Sequence, residues 1–506
     1  CEQLAGALLH PWRRSMEYAA AGVAAAIVIL AWAAWNRDAP APDNVPAEIR
    51  TLAILPFQML GPSAEQGALE VGVADALITR LSNIAGLVVR PVATVRRYHA
   101  ANVDPVLAAR SLNVDAIVEG TLQSSESGIR ASVRLIHAHD GKALWAGTVD
   151  ANGGRLFTLE DSLAEQIALH VNARLTESER RRLEARRQLN PHAHELYVKG
   201  RFEWGKRTRD SLEKAADYFR RAIDLDPTYA HAHVGLADSY VLLGGFGHYP
   251  PAQMLPKAAA LAARALELDP SLGEAHTTLA FVSQHMDWDW PRVEDHYRKA
   301  IALSPNYATA HHWYAELLSI LGRFDQSRRE FAEARRIDPI SPMIQVDEAQ
   351  LSYFERQYDR SLEILRRVAQ QNPGVDVVHN RIALALLAQG REEEAWSAVQ
   401  RFADCREETS DCRRVWTALL AKRDPAAARR ALRWMQAEAS SRLIAPTTLA
   451  HAYVRQGDYD RAVDWLERHL DWHDAWMITV KVSPMFEPLR RHPRFEGLLR
   501  KLNLAE

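Results

Sequence analysis

The residues Asp287 to Leu317 read DWDWPRVEDHYRKAIALSPNYATAHHWYAEL and contain three tryptophans, three histidines and three tyrosines. His311, His312 and Trp313 stand side by side in it, so the stretch invites reading as a ligand or metal site. The piece that decides the fold is plainer. AIALSP at 300–305 recurs as AIDLDP at 222–227, ALELDP at 265–270, ARRIDP at 334–339 and VAQQNP at 368–373. The closing prolines, Pro227, Pro270, Pro305, Pro339 and Pro373, are separated by 43, 35, 34 and 34 residues. Each unit carries two amphipathic helical patterns. A short turn joins them, written GRFD at Gly322 and GDYD at Gly457, and the proline ends the second helix.

That period and layout resemble the tetratricopeptide repeat family over residues 192–475, which implies an α-solenoid of stacked helix pairs. Small and large side chains then alternate at the packing positions. These are Ala222, Pro227, Ala265, Pro270, Tyr297, Ala300, Pro305, Tyr314, Phe331, Ala334, Pro339 and Pro373, with His311 in the slot where the family usually has tryptophan. The 43-residue interval contains an insertion, GGFGHYPPAQ from Gly244, whose glycines and prolines predict a helix-breaking loop. Trp288 and Trp290 fall in the turn between two helices, where they are expected to brace it. The resemblance implies that repeats bind an extended protein or peptide on their concave face. By register the residues there are His231, Asp238, Thr277, Phe281, His312, Glu316, Val346, Gln350, Asn380 and Leu384. The set lacks the repeated basic residues that would clamp a peptide carboxylate.

The pattern degrades past Phe402, around Cys405 and Cys412, and returns at 449–470. On one continuous helix two cysteines seven residues apart are about 10 Å apart, too far for a disulfide. The intervening REETSD is turn-compatible, so both a disulfide and two free thiols are open readings. Residues 476–506, containing PLRRHPRFEGLLRKLNL, read as a segment capping the open end.

Ahead of the repeats, TLAILP at 51–56 is a β-type run, and apolar residues recur at helical spacing over 66–83. A strand at 86–90, a helix at 104–112, a strand at 115–122, two alternating strands joined by HDGK and a helix over 156–175 complete a small α/β domain. Residues 51–176 resemble the TolB N-terminal-like, or FlgO-like, domain at LAILPF, VGVADALITRLSNIAGLVV, ARSLNVDAIVEGTLQ and VRLIHAHDGKALWAGTVD. His137 and His139 share a strand face, as half a metal site or as surface residues beside the hairpin turn. Residues 177–191 form a charged helical linker whose arginines are interleaved by Glu177, Glu179 and Glu184.

Tyr18 to Trp35 is an uncharged apolar run of eighteen residues, about 27 Å of helix, and predicts a transmembrane helix over 16–36. A cleaved signal peptide ending near AWA at 31–33 is the alternative. Arg13 and Arg14 before the run place residues 1–15 in the cytoplasm, as the remnant of a longer chain. A proline-rich linker at 37–50 leads outward, so the bulk of the chain is expected on the periplasmic side of a bacterial inner membrane. The formal charge of −2 gives no electrostatic reason for this chain to bind nucleic acid.

The sequence has no phosphate loop, H-E-x-x-H, G-x-S-x-G or protein-kinase motif, so no catalytic residues, metal or cofactor are expected in it. A membrane span, a TolB-like domain and a tetratricopeptide array together resemble the sensor half of CadC-like winged-helix transcriptional regulators. DWDW, PNYATAHHWYAELL and HPRFEGLL carry that wider resemblance. It implies a cytoplasmic DNA-binding domain N-terminal to this chain, with DNA reached only through it and homodimerisation as the simplest coupling across one helix. The same architecture also follows serine/threonine kinase or nucleotide cyclase domains, and it suits a stand-alone envelope scaffold.

Overall fold

In the computed structural model, the alternation in IRASVRLIHA becomes one strand of a mixed sheet, paired antiparallel on both sides. The structure describes residues 49–60, 66–84, 86–99, 103–125, 128–152, 156–171, 190–245, 249–402, 405–407, 409–439, 444–474 and 476–505. The expected membrane helix at 16–36, residues 1–15, the linker up to residue 48 and residues 177–189 of the charged linker lie outside the described residues. No helix among the described residues is long and apolar enough to cross a membrane.

The α/β domain comprises β1 (Thr51–Ile54), β2 (Gln58–Leu60), α1 (Gln66–Leu81), β3 (Val88–Val89), α2 (Val92–Val95), α3 (Pro105–Leu112), β4 (Ala116–Ser125), β5 (Gly128–His137), β6 (Ala143–Asn152) and α4 (Leu156–His170). The strands run in the order β3-β1-β4-β5-β6, with β2 also pairing with β4. The β1–β3, β1–β4 and β2–β4 pairs are parallel, and β4–β5–β6 are antiparallel. Helix α3 starts where it does because Asp104 accepts hydrogen bonds from the Val106 and Leu107 amides, with Pro105 fitting the first turn. The sequence did not announce β2. Three residues carry no periodicity, and the strand is held from outside it by the Met59 amide donating to Glu70 at 2.7 Å. His137 is used locally, bonded to Asp140 of the hairpin turn at 2.8 Å.

Eight antiparallel helix pairs follow among the described residues: α5 (Pro191–Trp204) with α6 (Arg209–Leu225), α7 (Ala230–Gly245) with α8 (Pro251–Leu268), α9 (Gly273–Met286) with α10 (Trp290–Leu303), α11 (Ala308–Ile320) with α12 (Phe324–Ile337), α13 (Pro342–Phe354) with α14 (Tyr358–Gln371), α15 (Val377–Ala388) with α16 (Glu392–Val399), α17 (Asp411–Leu419) with α18 (Pro425–Ala439), and α19 (Pro446–Arg455) with α20 (Tyr459–Arg468). In the second helix of successive pairs Ala222, Ala265, Ala300 and Ala334 are completely buried, since only a methyl group fits where neighbouring helices meet. Tyr297 and Tyr314 stack between pairs with ring centroids 5.7 Å apart, and Phe331 is buried. The repeating Asp-Pro stop has a local cause. Asp226 and Asp269 accept from the amides of Thr228 and Ser271, two residues on, turning the chain at the helix end. The insertion from Gly244 is less disruptive than its composition predicts. Gly244 and Gly245 complete α7, and Pro251 opens α8, where its missing N–H costs nothing.

The α/β domain is bonded to the array's loop edge. Arg90, only 2% exposed, donates to the carbonyls of Leu112 and Asn113 in its own domain and of Arg336 and Ile337 at the end of α12. Asn306, from the SPNY loop, donates to the carbonyls of Ser82, Ile84 and Leu87. Asp75 takes a two-pronged ion pair from Arg201, and buried Glu160 is bonded to His194. Helices α1 and α5 meet at Gly72, where a Cβ would lie 1.9 Å from a Val198 methyl, so no side chain is tolerated there.

The C-terminal segment covers more than the open end. Arg494 pairs with Asp464 and Glu467 on α20. The segment also runs back along the intra-pair turns, where Trp290 Nε1 donates to the Leu502 carbonyl at 3.1 Å and Asn503 donates to the Trp288 carbonyl. Arg356 donates to the Val482 carbonyl. Phe486, Leu489, Phe495, Leu498 and Leu502 are buried in the array's largest apolar core, so this segment is a strap.

Candidate functional site

The ten residues placed on the concave face by register occupy three environments. Asp238, Thr277, His312 and Val346 are buried, so at those positions the face is not an open groove. His231 packs against Tyr197 and Tyr229, and Phe281 stacks on His285 with ring centroids 4.2 Å apart. Gln350, Asn380 and Leu384 line a cavity. Glu316 belongs with the first set, near His312 and Asp347.

The polar centre of the interior is built one repeat apart. His312 on α11 is hydrogen-bonded through Nε2 to Asp347 on α13 at 2.9 Å. Burial alone draws the imidazolium down, but the Asp347 bond and the Glu316 charge outweigh it and hold the His312 pKa above its ordinary value. Burial, and then the neighbouring Asp347 charge, push the Glu316 carboxyl up to about 8. Asp347 and Glu316 both act favourably on the Arg381 guanidinium, which burial lowers. A ligand atom from each of His312, Glu316 and Asp347 falls within 4.8 Å of the others, and these donor types suit a divalent cation. The surroundings fit one poorly. Arg381 already supplies positive charge to both carboxyls, and Glu316 holds its proton near neutral pH. The trio is better described as a closed proton-sharing network.

Deeper in the array His285 and His451 are buried, and burial lowers their pKa values to about 4 and about 3. The folded chain therefore binds fewer protons than the unfolded chain between those values and the ordinary 6.5. Their contribution is fully present above 6.5 and is lost as pH falls through the folded values. Buried Asp238 opposes this, because burial raises it to about 6, so its contribution grows on acidification. Substitution isolates one group from the balance. His451→Gln is expected to remove about 1.4 kcal/mol of acid sensitivity per pH unit between roughly pH 6 and pH 4. Thermal melts of the two proteins across that range check it, and parallel curves would contradict it.

The cavity has a volume of about 410 Å³ and is walled by α13 to α15, α17, α19 and the strap. Its surface is mainly apolar, including Phe354, Leu384, Trp416 and Phe486, with polar groups from Asn380, Arg381 and His451. Arg381 lies against the Trp476 ring at 4.3 Å from its centroid. Neither Arg381 Nε nor His451 Nδ1 has a hydrogen-bond partner. Cys412, in the cavity wall, is joined by a disulfide to buried Cys405, their Cα atoms 5.0 Å apart. Of the residues singled out in the sequence, Gln350, Asn380, Leu384 and Cys412 come together here. Arg381, His451 and Trp476 were missed, because the signal that joins them is packing between distant repeats and the strap.

A family described as HilA/YgeH-like transcriptional regulator, second domain, matches residues 48–166. Two tetratricopeptide repeat families match 296–329 and 447–472. The chain carries tetratricopeptide repeats behind a regulator-like α/β domain. Over 202 residues it is 29% identical to the protein named putative adenylate cyclase 3 of Rhizobium meliloti (strain 1021), a match covering 40% of this chain and 34% of that protein. The chain thus spans about a third of the length of this curated relative. Among solved structures, Pseudomonas aeruginosa pilF is 22% identical with a TM-score of 0.31, covering 40% of this chain and 90% of that one. Yeast Tom70 is 18% identical with a TM-score of 0.39, covering 69% of this chain and 82% of that one. Scores this low carry no functional argument.

Proposed function

We propose that this chain is the regulatory part of a membrane-anchored signalling protein. Its repeats bind a protein or peptide and bias a winged-helix DNA-binding output domain that precedes it. The observation carrying this reading is the match of residues 48–166 to a domain described as the second of HilA/YgeH-like transcriptional regulators, since a second domain follows a first. The bonded contact between that domain and the array supports it, because a ligand-induced change in the repeats would be passed on rather than absorbed by a hinge. The chain itself is non-catalytic in this proposal. The resemblance to TolB/FlgO-like domains and the apolar run at 16–36 support an envelope setting, with one span, a cytoplasmic N-terminus and the array on the periplasmic side.

A second reading, in which the output domain is a nucleotide cyclase, is favoured by the Rhizobium meliloti relative. The reading frame upstream of the Cys1 codon separates the two. A winged-helix pattern there supports the first reading and a cyclase domain the second, whereas a nearby start codon overturns both. A reporter fused after Glu506 that is active only in the cytoplasm would overturn the topology.

A further inference from the structure

A repeat array built only to bind a protein does not need a mainly apolar pocket between its helix pairs with an arginine in the wall. We propose that the 410 Å³ cavity is a binding site for a small organic anion with a flat apolar body, held by the Arg381 guanidinium and the His451 ring. This goes beyond the function proposed above and holds whichever output domain is attached.

The size lies within the usual range of small-molecule sites, roughly 300 to 1,000 Å³. The polar groups supply the stronger argument. Arg381 and His451 both contribute to the cavity wall, and behind that wall Arg381 Nε and His451 Nδ1 are buried without hydrogen-bond partners. A buried polar atom left unpaired is costly, so an occupant with oxygen acceptors that draws these two side chains toward the cavity recovers hydrogen bonds for them. The charge balance selects an anion. Of the two carboxyls that act on Arg381, Asp347 is already bonded to His312, so the guanidinium is not fully compensated from within. Asp411 contributes to the wall only as an exposed residue at the rim. A guanidinium with a free N–H favours planar carboxylates and related oxyanions. The remaining walls are ring faces and alkyl groups, Phe354, Trp416, Phe486 and Leu384, which suit an aromatic body. Because Trp476 and Phe486 belong to the strap, an occupant touching both them and Arg381 would tie the strap to the fifth and sixth helix pairs.

The test uses the intact chain and two fluorescent probes, 1-anilinonaphthalene-8-sulfonate and its uncharged analogue N-phenyl-1-naphthylamine. The sulfonate is expected to bind saturably at one site per chain. Arg381→Gln should weaken it about tenfold or more while leaving the neutral probe unchanged. Leu384→Trp, which fills the chamber, should abolish both. The proposal is overturned if the sulfonate does not saturate at one site, if Arg381→Gln affects both probes equally or neither, or if Leu384→Trp still binds. The unmodified chain gives a reading free of folding defects: 1-naphthoate should displace the sulfonate at concentrations where 1-naphthalenemethanol does not. Equal displacement by the two would also overturn the proposal.

Discussion

Arg90→Ala is expected to lower the stability of the chain by about 3–5 kcal/mol and to loosen the α/β domain from the repeats. The guanidinium spends its donors on four main-chain carbonyls, two ending α3 and two ending α12. Carbonyls at a helix C-terminus have no intrahelical partner and carry partial negative charge, so a buried cation there satisfies both helices at once. Burial lowers the Arg90 pKa, the Asp338 charge opposes that shift, and Asp338 itself accepts from Thr94 at 2.6 Å, so the contact is a network. Alanine leaves the four acceptors buried and unpaired. Arg90→Lys should recover less than half of the loss, because an ammonium is a point donor and cannot span both helix ends. Urea unfolding followed by probes in each domain measures this. A loss under about 1 kcal/mol, or a fully coincident two-domain transition in Arg90→Ala, would show that Asn306, Arg201 and His194 suffice for docking.

The repeats were legible because their cause is local and recurs. A proline follows the second helix of five pairs by two residues, a completely buried alanine (Val368 in the fifth) sits five residues before it, and neither depends on distant sequence. The docking was not legible for the opposite reason. Asn306 occupies the same loop in its repeat as Thr228 and Ser271 do nearby in theirs, and only the structure shows that its amide reaches carbonyls more than 200 residues earlier. Arg90 reads from sequence as a charged residue ending a strand, where exposure would be the ordinary outcome. The polar centre was half legible. Register placed His312 inward and chose Val346 as its counterpart one repeat on, whereas the bonded partner is the next residue, Asp347. His311 shows how a departure from the family pattern can be absorbed. In the slot of the expected tryptophan it bonds Glu330 at 2.7 Å and the Pro305 carbonyl at 3.2 Å, joining both helices of its pair to the preceding loop.

Trp290→Ala is expected to cost about 3–5 kcal/mol, and the loss should appear at the far end of the chain. Trp290 is 6% exposed, and its indole N–H reaches Leu502, 212 residues away, while the Trp288 carbonyl accepts from Asn503. Trp288 itself has a φ of 53°, in the left-handed region where the corresponding turns at Gly322, Gly390 and Gly457 use glycine. A tryptophan there is strained by about 1 kcal/mol or more. The strain is offset if the turn's purpose is to present its carbonyl to the strap, and the Trp288 ring lies 5.4 Å from that of His473, just ahead of the strap. Trp290→Phe separates the two contributions. It retains most of the apolar contact but leaves the Leu502 carbonyl unpaired, for an expected loss of about 1–2 kcal/mol. Hydrogen exchange then distinguishes a local defect from release of the strap. In Trp290→Ala, amides of the helix Phe495–Lys501 should lose protection while those of α5 and α6 keep theirs. If the helix at 495–501 stays as protected as in the parent chain, the buried Phe495, Leu498 and Leu502 hold the strap without the turn, and the tryptophans only pack it.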